Sequence, residues 1–395
     1  MALSRIAREV KTSATLAITA KAKQLAAKGV DIIGFGAGEP DFDVPENVKN
    51  AAIKAIKDGY NKYTPTSGAP ELKEAICEKL LKDNQLKYTP SQILVSAGAK
   101  QSILNIVLVL CDTGDEAIIP SPYWVSYPEM VIMAGAKPVF LNTTDKEYFK
   151  ITKESLAKVI TPRTKLLFMN SPGNPTGMVY TEKELREIVS FAVEKGMYVI
   201  SDEIYEKILY DGAKHVCSAT FSDECFKKVI TVNGFSKVYS MTGWRLGYAA
   251  GAEEIIKAAT NIQDHTTSGA NSITQKAGVE ALKGSQDSVD IMVKEFDKRR
   301  QYIVNRLNKI KGVSCVLPQG AFYAFPRVSD LYQRKIAGQI VANSFELVNL
   351  LLEKAFVAFV PGAPFGADDY MRISYATSMA NIEKGIDRFE KFLGS

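Results

Sequence analysis

Short apolar runs recur through the middle of the chain. Between most of them the apolar residues return every three to four positions. The runs are QILVSAG (92–98), EAIIPSP (116–122), KLLFMNSP (165–172), MYVISDE (197–203), KVITVNGFS (228–236) and RLGYAAG (245–251). Strand-like runs alternating with helical patterns predict βαβ units on a parallel sheet. The helical segment TEKELREIVSFAVEKG (181–196) carries its own boundaries: Thr181 and Glu184 have capping-box spacing, and Gly196 suits a helix C-terminus. Polar or small residues follow the ends of the runs, which is where open α/β sheets gather their ligands.

The pattern changes in the last third. A long charged helix is predicted over roughly 286–311, followed by β-like runs at VSCVL, GAFYAF, VAFVPG and MRISYA and a terminal helix near 380–393. This reads as a smaller α+β unit. A helix over about 13–28 can join it, because chain termini often dock together. A length of 395 residues also favours two domains. The expected division is a large domain over 45–288 and a small one made of 1–44 plus 289–395.

Composition narrows the function. The net charge of +5 is small against 49 basic and 44 acidic residues, and no basic run is interleaved with aromatics, so nucleic acid is not an expected partner. No stretch approaches the roughly 18–20 apolar residues of a membrane span, and the N-terminus lacks the apolar core of a secretory signal, so the expected compartment is the cytoplasm. Five scattered cysteines without CxxC spacing suit reduced thiols. With only two histidines, a His/Cys metal site is not expected.

The chemistry gathers at the strand ends. Lys237, in VNGFSKVYSMTGWRLGYAAG (232–251), follows an apolar run within a turn-rich segment. A solvated lysine would be the ordinary reading, but a partly desolvated one can act as an amine nucleophile. Arg245, eight residues on, suits a phosphate. Asp202 ends an apolar strand, where an unpaired carboxylate would be costly, unless it caps a following helix. Arg372 sits inside the apolar strand MRISYATS, which is unusual without a partner, and its planar fork suits a carboxylate. SAGAKQSILNIVLVL (96–110) places small residues before an apolar helix, a ready phosphate site. The segment GFGAGEPDFDVP (34–45) could be mistaken for a dinucleotide loop. Yet Pro40 and Pro45 block the helix such a turn requires.

Taken together, SK-xxx-MTGWR-xGY, NSPGNPTG (170–177), SDEIYEKILY (201–210) and MRISYATS resemble, in order, the motifs of class I/II aminotransferases of fold type I. These enzymes use pyridoxal 5'-phosphate. The likeness runs over nearly the whole chain and is greatest to the bacterial-type aspartate aminotransferases, some of which also act on prephenate. It implies an α/β fold with a large domain on a mainly parallel seven-stranded sheet and a smaller α+β domain. It implies that Lys237 carries the cofactor as a Schiff base, with Asp202 at the ring nitrogen and Asn174 and Tyr205 at the ring oxygen. Gly98, Ala99, Lys100, Ser236 and Arg245 would surround the phosphate, and Trp124 would stack on the ring. Arg372, Gly38 and Asn174 would meet the substrate carboxylate, with Lys100 toward its distal end and Ser13 and Thr15 nearby. Tyr63 would reach the phosphate of a neighbouring subunit, making the protein a homodimer with shared sites.

The resemblance also implies the reaction: ping-pong amino transfer between L-aspartate, or a related amino acid, and 2-oxoglutarate. The alternative on the same scaffold is a prephenate or aromatic aminotransferase. A PLP lyase and a non-catalytic PLP-binding regulator are further rivals, the latter disfavoured because Lys237, Asp202, Asn174 and Arg372 are all present. Three departures stand out. Gly173 replaces a frequent asparagine. Gly234 replaces a frequent phosphate-binding serine, for which Ser236 is a candidate substitute. The segment TNIQDHTTSGANS (260–272) lacks the arginine that some relatives direct at the distal carboxylate.

Overall fold

The computed structural model describes residues 3–394. Seven strands form one sheet: β1 (Ile93–Ser96), β2 (Glu116–Ser121), β3 (Lys137–Asn142), β4 (Thr164–Asn170), β5 (Tyr198–Asp202), β6 (Val229–Gly234) and β7 (Gly247–Ala250). Their order is β1-β7-β6-β5-β4-β2-β3. Strands β2 to β6 run parallel, and β7 lies antiparallel to both β6 and β1.

Alternate residues along each strand point to opposite faces. Leu94, Ile119, Phe168, Ile200, Val232 and Ala249 therefore pack on one side. They meet helices α4 (Ala99–Leu110), α5 (Ser126–Met133) and α7 (Glu253–Asp264). Val95, Ile118, Leu167, Val199, Val229 and Ala250 pack on the other, against α3 (Pro70–Asn84), α6 (Glu182–Glu194) and α8 (Ser272–Lys283). Burial on both faces explains why the central strands read as continuous apolar runs. Strand β3 was absent from those runs for the opposite reason. It is an edge strand, KPVFLN, in which only Leu141 is buried. The expected capping box is formed: the Thr181 hydroxyl accepts from the Glu184 amide while the Glu184 carboxylate accepts from the Thr181 amide.

A second apolar core joins α9 (Asp287–Leu307) and α10 (Met379–Gly394) to a three-stranded antiparallel sheet. That sheet holds β8 (Tyr323–Ala324), β9 (Val360–Pro361) and β10 (Met371–Ser374), with β10 in the middle. Residues Ile33–Gly34 pair in parallel with Val357–Ala358, so the N-terminal segment, including α1 (Ala14–Ala27), packs against the C-terminal third. The VSCVL run makes no strand, only a bridge from Ser314 to Arg327. The Asn308 side chain accepts from the Cys315 amide at 2.7 Å and donates to its carbonyl at 3.1 Å, occupying the groups a ladder would use.

Candidate active site

The carboxyl ends of β4 and β5, the turn after β6 and the N-terminus of α4 converge on one cavity of about 450 Å3. Such a volume suits a small molecule. The small sheet closes it from the opposite side with Tyr323 and Arg372, and the 36–39 segment and α1 complete the wall. Of the residues anticipated from sequence, Gly38, Ala99, Lys100, Trp124, Asn174, Asp202, Tyr205, Ser236, Lys237, Arg245 and Arg372 all line it, as does Thr15. Ser13 stands one hydrogen bond behind, its hydroxyl 2.9 Å from that of Thr15. Tyr63 is not brought in: its side chain is 99% exposed.

One end of the cavity is an anion cradle. Gly98 caps α4 with a positive φ of 89°, which favours glycine, and supplies no side-chain cap. Among the described residues, the amides of Ala99 and Lys100 have no acceptor. A Cβ at Gly98 would stand 2.6 Å from the Arg245 guanidinium, so the arginine lies directly over the helix start. Arg245 is held there by the carbonyls of Thr242 (2.9 Å) and Ala97 (3.2 Å). Free amides, a helix dipole and a guanidinium make a phosphate site. The structure also accounts for Gly234. A Cβ there would lie 3.0 Å from both the Gly247 Cα and the Leu246 carbonyl oxygen, so a serine would displace backbone.

The middle of the cavity holds Asp202. Its Oδ2 accepts from the Tyr127 hydroxyl at 2.6 Å and its Oδ1 from the Ile204 amide at 3.3 Å. Burial pushes its carboxyl up to about 6 against the restraint of those two donors. A carboxylate so enclosed fits a cationic ring nitrogen. Asn170 at the end of β4 ties the neighbouring strands together, donating to the Asp202 carbonyl at 2.9 Å and accepting from the Asn174 amide at 2.8 Å. Trp124 stands edge-on to Tyr127, with Lys100 Nζ 5.0 Å from its ring centroid.

Lys237 Nζ donates to the Gly38 carbonyl at 2.5 Å. Its amine opens on the cavity, but burial, with Arg372 and Arg245 nearby, pulls it down to about 8. That favours the neutral amine a nucleophile and base requires. At the far side Arg372 is buried, donating to the Asn174 side-chain oxygen (3.2 Å) and the Gly36 carbonyl (2.7 Å). Its Nε has no partner, and among the described residues its hydrogen bonds go to neutral oxygens, with no carboxylate acting on it. An unneutralised buried guanidinium is a carboxylate receptor. A Cβ at Gly38 would sit 2.8 Å from the Tyr323 hydroxyl, so this position leaves no room for a side chain.

Tyr127, Asn170, Tyr323 and Glu39 were not anticipated. Glu39 accepts from the Thr242 hydroxyl at 2.9 Å, and the Tyr323 hydroxyl lies 2.8 Å from that of Tyr205. Each owes its place to a partner far away in sequence, although Asn170, Tyr323 and Glu39 lay inside segments already singled out.

The combination of a parallel sheet, an anion cradle, a buried acid, a softened lysine and a carboxylate receptor defines a pyridoxal-phosphate-dependent enzyme of fold type I. The chain belongs to the aminotransferase class I and II family, whose model matches residues 30–389. It is 49% identical over 391 residues to the aspartate aminotransferase of Bacillus sp. (strain YM-2), covering 98% of this chain and 99% of that one. It is 46% identical to the aspartate/prephenate aminotransferase of Nitrosomonas europaea, with all of both chains covered. Among solved structures, the aspartate aminotransferase from Rhizobium meliloti superposes with a TM-score of 0.96 at 40% identity, covering 100% of this chain and 99% of that one. The Thermus thermophilus enzyme solved with maleate gives 0.94 at 41%, with full coverage of both.

Proposed function

We propose that this aminotransferase moves the amino group of L-aspartate, or of a closely related amino acid, to 2-oxoglutarate by a ping-pong path. The observation that carries the reading is the meeting, in one cavity, of Lys237 with its lowered basicity and the buried, carboxylate-free Arg372. The names of the relatives supply the substrate class. A second reading, prephenate or an aromatic oxo acid as partner, draws support from the name of the Nitrosomonas europaea relative. It also draws support from the substrate end of the cavity, which presents Thr15, Thr19, Lys23 and Lys100 rather than a further arginine.

In this reading the residues divide the work. Ala99, Lys100 and Arg245 hold the phosphate, Asp202 keeps the ring nitrogen protonated, Asn174 and Tyr205 donate to the ring oxygen, and Trp124 and Ser236 bound the cofactor. Pyridoxal phosphate, when bound, supplies an electron sink for a carbanion at Cα. Arg372 grips the α-carboxylate beside the Gly38 backbone and so fixes which bond at Cα faces Lys237. The Lys237 amine, steadied by the Gly38 carbonyl, would take the Cα proton and hold it on that side of the site for its return.

The reading includes the division into domains of 45–288 and of 1–44 with 289–395. It includes a homodimer in which Tyr63 reaches the neighbour's phosphate, for which the wholly exposed ring leaves the side chain free. It places the protein in the cytoplasm. Supporting this, the described cysteines are free, and among the described residues no helix is long and apolar enough to cross a membrane. The test is a panel of half-reactions. The loaded protein should lose its visible absorbance fastest with aspartate and glutamate. Faster conversion by tyrosine would favour the second reading, and no conversion by any amino acid would overturn both.

A further inference from the structure

Tyr323 is 1% exposed and stands where three of the proposed site residues meet. Its hydroxyl lies 2.8 Å from the Tyr205 hydroxyl. Its ring centroid lies 4.7 Å from the centre of the Arg372 guanidinium. Its oxygen fills the space a Gly38 side chain would need. The placement follows from register: Tyr323 on β8 pairs with Ser374 on β10, the strand that carries Arg372. Tyr205 comes from the other side of the cavity, in the turn after β5. The tyrosine pair is therefore a bridge across the site, with a cation at one end and the proposed ring-oxygen donor at the other.

A hydroxyl of either tyrosine could donate in this bond, and the surroundings decide which does. The guanidinium over the Tyr323 ring draws electron density from that phenol and makes it the stronger acid of the two. Burial pushes both phenols up, but at Tyr323 the guanidinium over its ring is the next influence and opposes that push, whereas at Tyr205 the neighbouring Tyr323 adds to it and Arg372 offsets less. The better donor gives its hydrogen, so Tyr323 donates to Tyr205. Tyr205 is then left with its own hydrogen directed into the cavity, and that donation is strengthened because its oxygen already accepts a bond.

We infer that Tyr323 is a positioning residue: its hydroxyl donates to Tyr205, aims the Tyr205 hydrogen at the cofactor's ring oxygen, and its ring seats Arg372. This deepens the proposed function and rests on it, because it presumes the cofactor at Lys237 and Tyr205 at the ring oxygen. A donor at that oxygen favours its negative charge. It therefore lowers the pH at which the Lys237-bound cofactor changes its visible absorbance.

Tyr323→Phe removes the hydroxyl and leaves the ring over Arg372, which spares the fold. The pH of the visible transition, read in the holoenzyme without substrate, should rise by roughly half to one unit, the size of one neutral hydrogen bond. Tyr205→Phe should raise it further, and adding Tyr323→Phe to that variant should change it no more. The KM for the amino acid should stay within about twofold in Tyr323→Phe and rise at least about fivefold in Tyr323→Leu, which strips the ring from Arg372. An unmoved transition in Tyr323→Phe beside a shifted one in Tyr205→Phe would overturn the Tyr323 role and leave the function proposal standing. A Tyr323→Phe shift that persists without Tyr205 would overturn the route through Tyr205. A wild-type protein with no visible band at Lys237 would overturn both readings.

Discussion

Tyr127 donates its hydroxyl hydrogen to Asp202 Oδ2 at 2.6 Å, across 75 residues of sequence, with both side chains buried. The bond joins the helix after β2 to the end of β5 and holds the carboxylate in one orientation. Burial works against the charge of Asp202, and Tyr127 is the larger of the two hydrogen-bonding influences that offset it. Tyr127→Phe should therefore leave Asp202 less acidic still. A hydrogen bond to a charged group is worth about 1.5–3 kcal/mol, so cofactor affinity should fall roughly 10- to 100-fold at neutral pH. Titration of the stripped variant with pyridoxal phosphate measures this directly. Affinity equal to the wild type would mean that the Ile204 amide and the ring nitrogen alone suffice to hold the carboxylate charged.

Lys237 titrates near 8 because of burial first, and then because of Arg372 and Arg245. Only the neutral amine attacks a carbonyl, so covalent attachment of cofactor to the stripped protein should quicken as pH rises through about 8 and level off above it. Arg372→Leu removes one of the two cations. The midpoint should then move to higher pH, because the ammonium form loses a repulsive neighbour. Stopped-flow growth of the visible band against pH gives both midpoints. Coincident midpoints would leave burial and Arg245 as the causes and take Arg372 out of them. In the same assay Lys237→Ala should give no covalent band and almost no turnover.

A buried ion network sits just past Asp202. Lys79 pairs with Glu206 and donates to the Asn84 side-chain oxygen, while the Asn84 side-chain nitrogen donates to Glu206 and His215 meets Glu203 at 2.8 Å. Burial alone would push the Glu206 carboxyl up, but Lys79 and His215 outweigh it and hold it at about 2. A depressed carboxyl contributes stability that is present above its unfolded value of about 4.5 and is lost as pH falls toward 2. Lys79→Met should strip that contribution and strand the carboxylate, costing about 3–5 kcal/mol at pH 7. Lys79→Met with Glu206→Leu should cost less than Lys79→Met alone. Urea melts of the three proteins decide it, and a double variant weaker than the single one would show that the network cannot be replaced by apolar packing.

The sequence made the buried parts of this fold legible and left its margins obscure. Strands β4, β5 and β6 announced themselves because both of their faces are covered, so their central positions are mainly apolar, with Ser201 and Thr231 the small polar exceptions. Strand β3 stayed hidden because its edge position lets polar and half-exposed residues through. Lys237, Asp202, Asn174 and Arg372 could be picked out because their segments together, in order along the chain, resemble the motifs of one family; taken singly, a solvated lysine, a helix cap and a turn stayed open. Tyr127 and Tyr323 could not, since a tyrosine in an apolar run looks like core. Their significance lies in what their hydroxyls face: for Tyr127 the Asp202 carboxylate, 75 residues away, and for Tyr323 the Tyr205 hydroxyl, 118 residues away. Gly234 shows the converse. A side chain at that position would press on the Gly247 and Leu246 backbone, 3.0 Å from its Cβ, and a single sequence does not display that contact.

Tyr63 is a proposed cofactor contact that stands clear of the cavity, and its ring is bare. A bare tyrosine next to a turn has nothing to fix it unless a second chain covers it, so the proposal of a shared site can be tested by complementation. Tyr63→Phe should bind cofactor roughly 10- to 100-fold more weakly, the loss of one hydrogen bond to a charged phosphate. In a hybrid of one Tyr63→Phe chain and one Lys237→Ala chain, the two sites are unequal. Each site takes its lysine from one chain and its tyrosine from the other. One site then pairs the intact lysine of the first chain with the intact tyrosine of the second and is whole, while the other has lost both. Hybrids purified by two different affinity tags should accordingly recover close to half the wild-type activity at a cofactor concentration that leaves the Tyr63→Phe homodimer largely empty. Hybrids no more active than the mean of the two parent homodimers, with exchange verified by the tags, would show that Tyr63 serves its own chain or none.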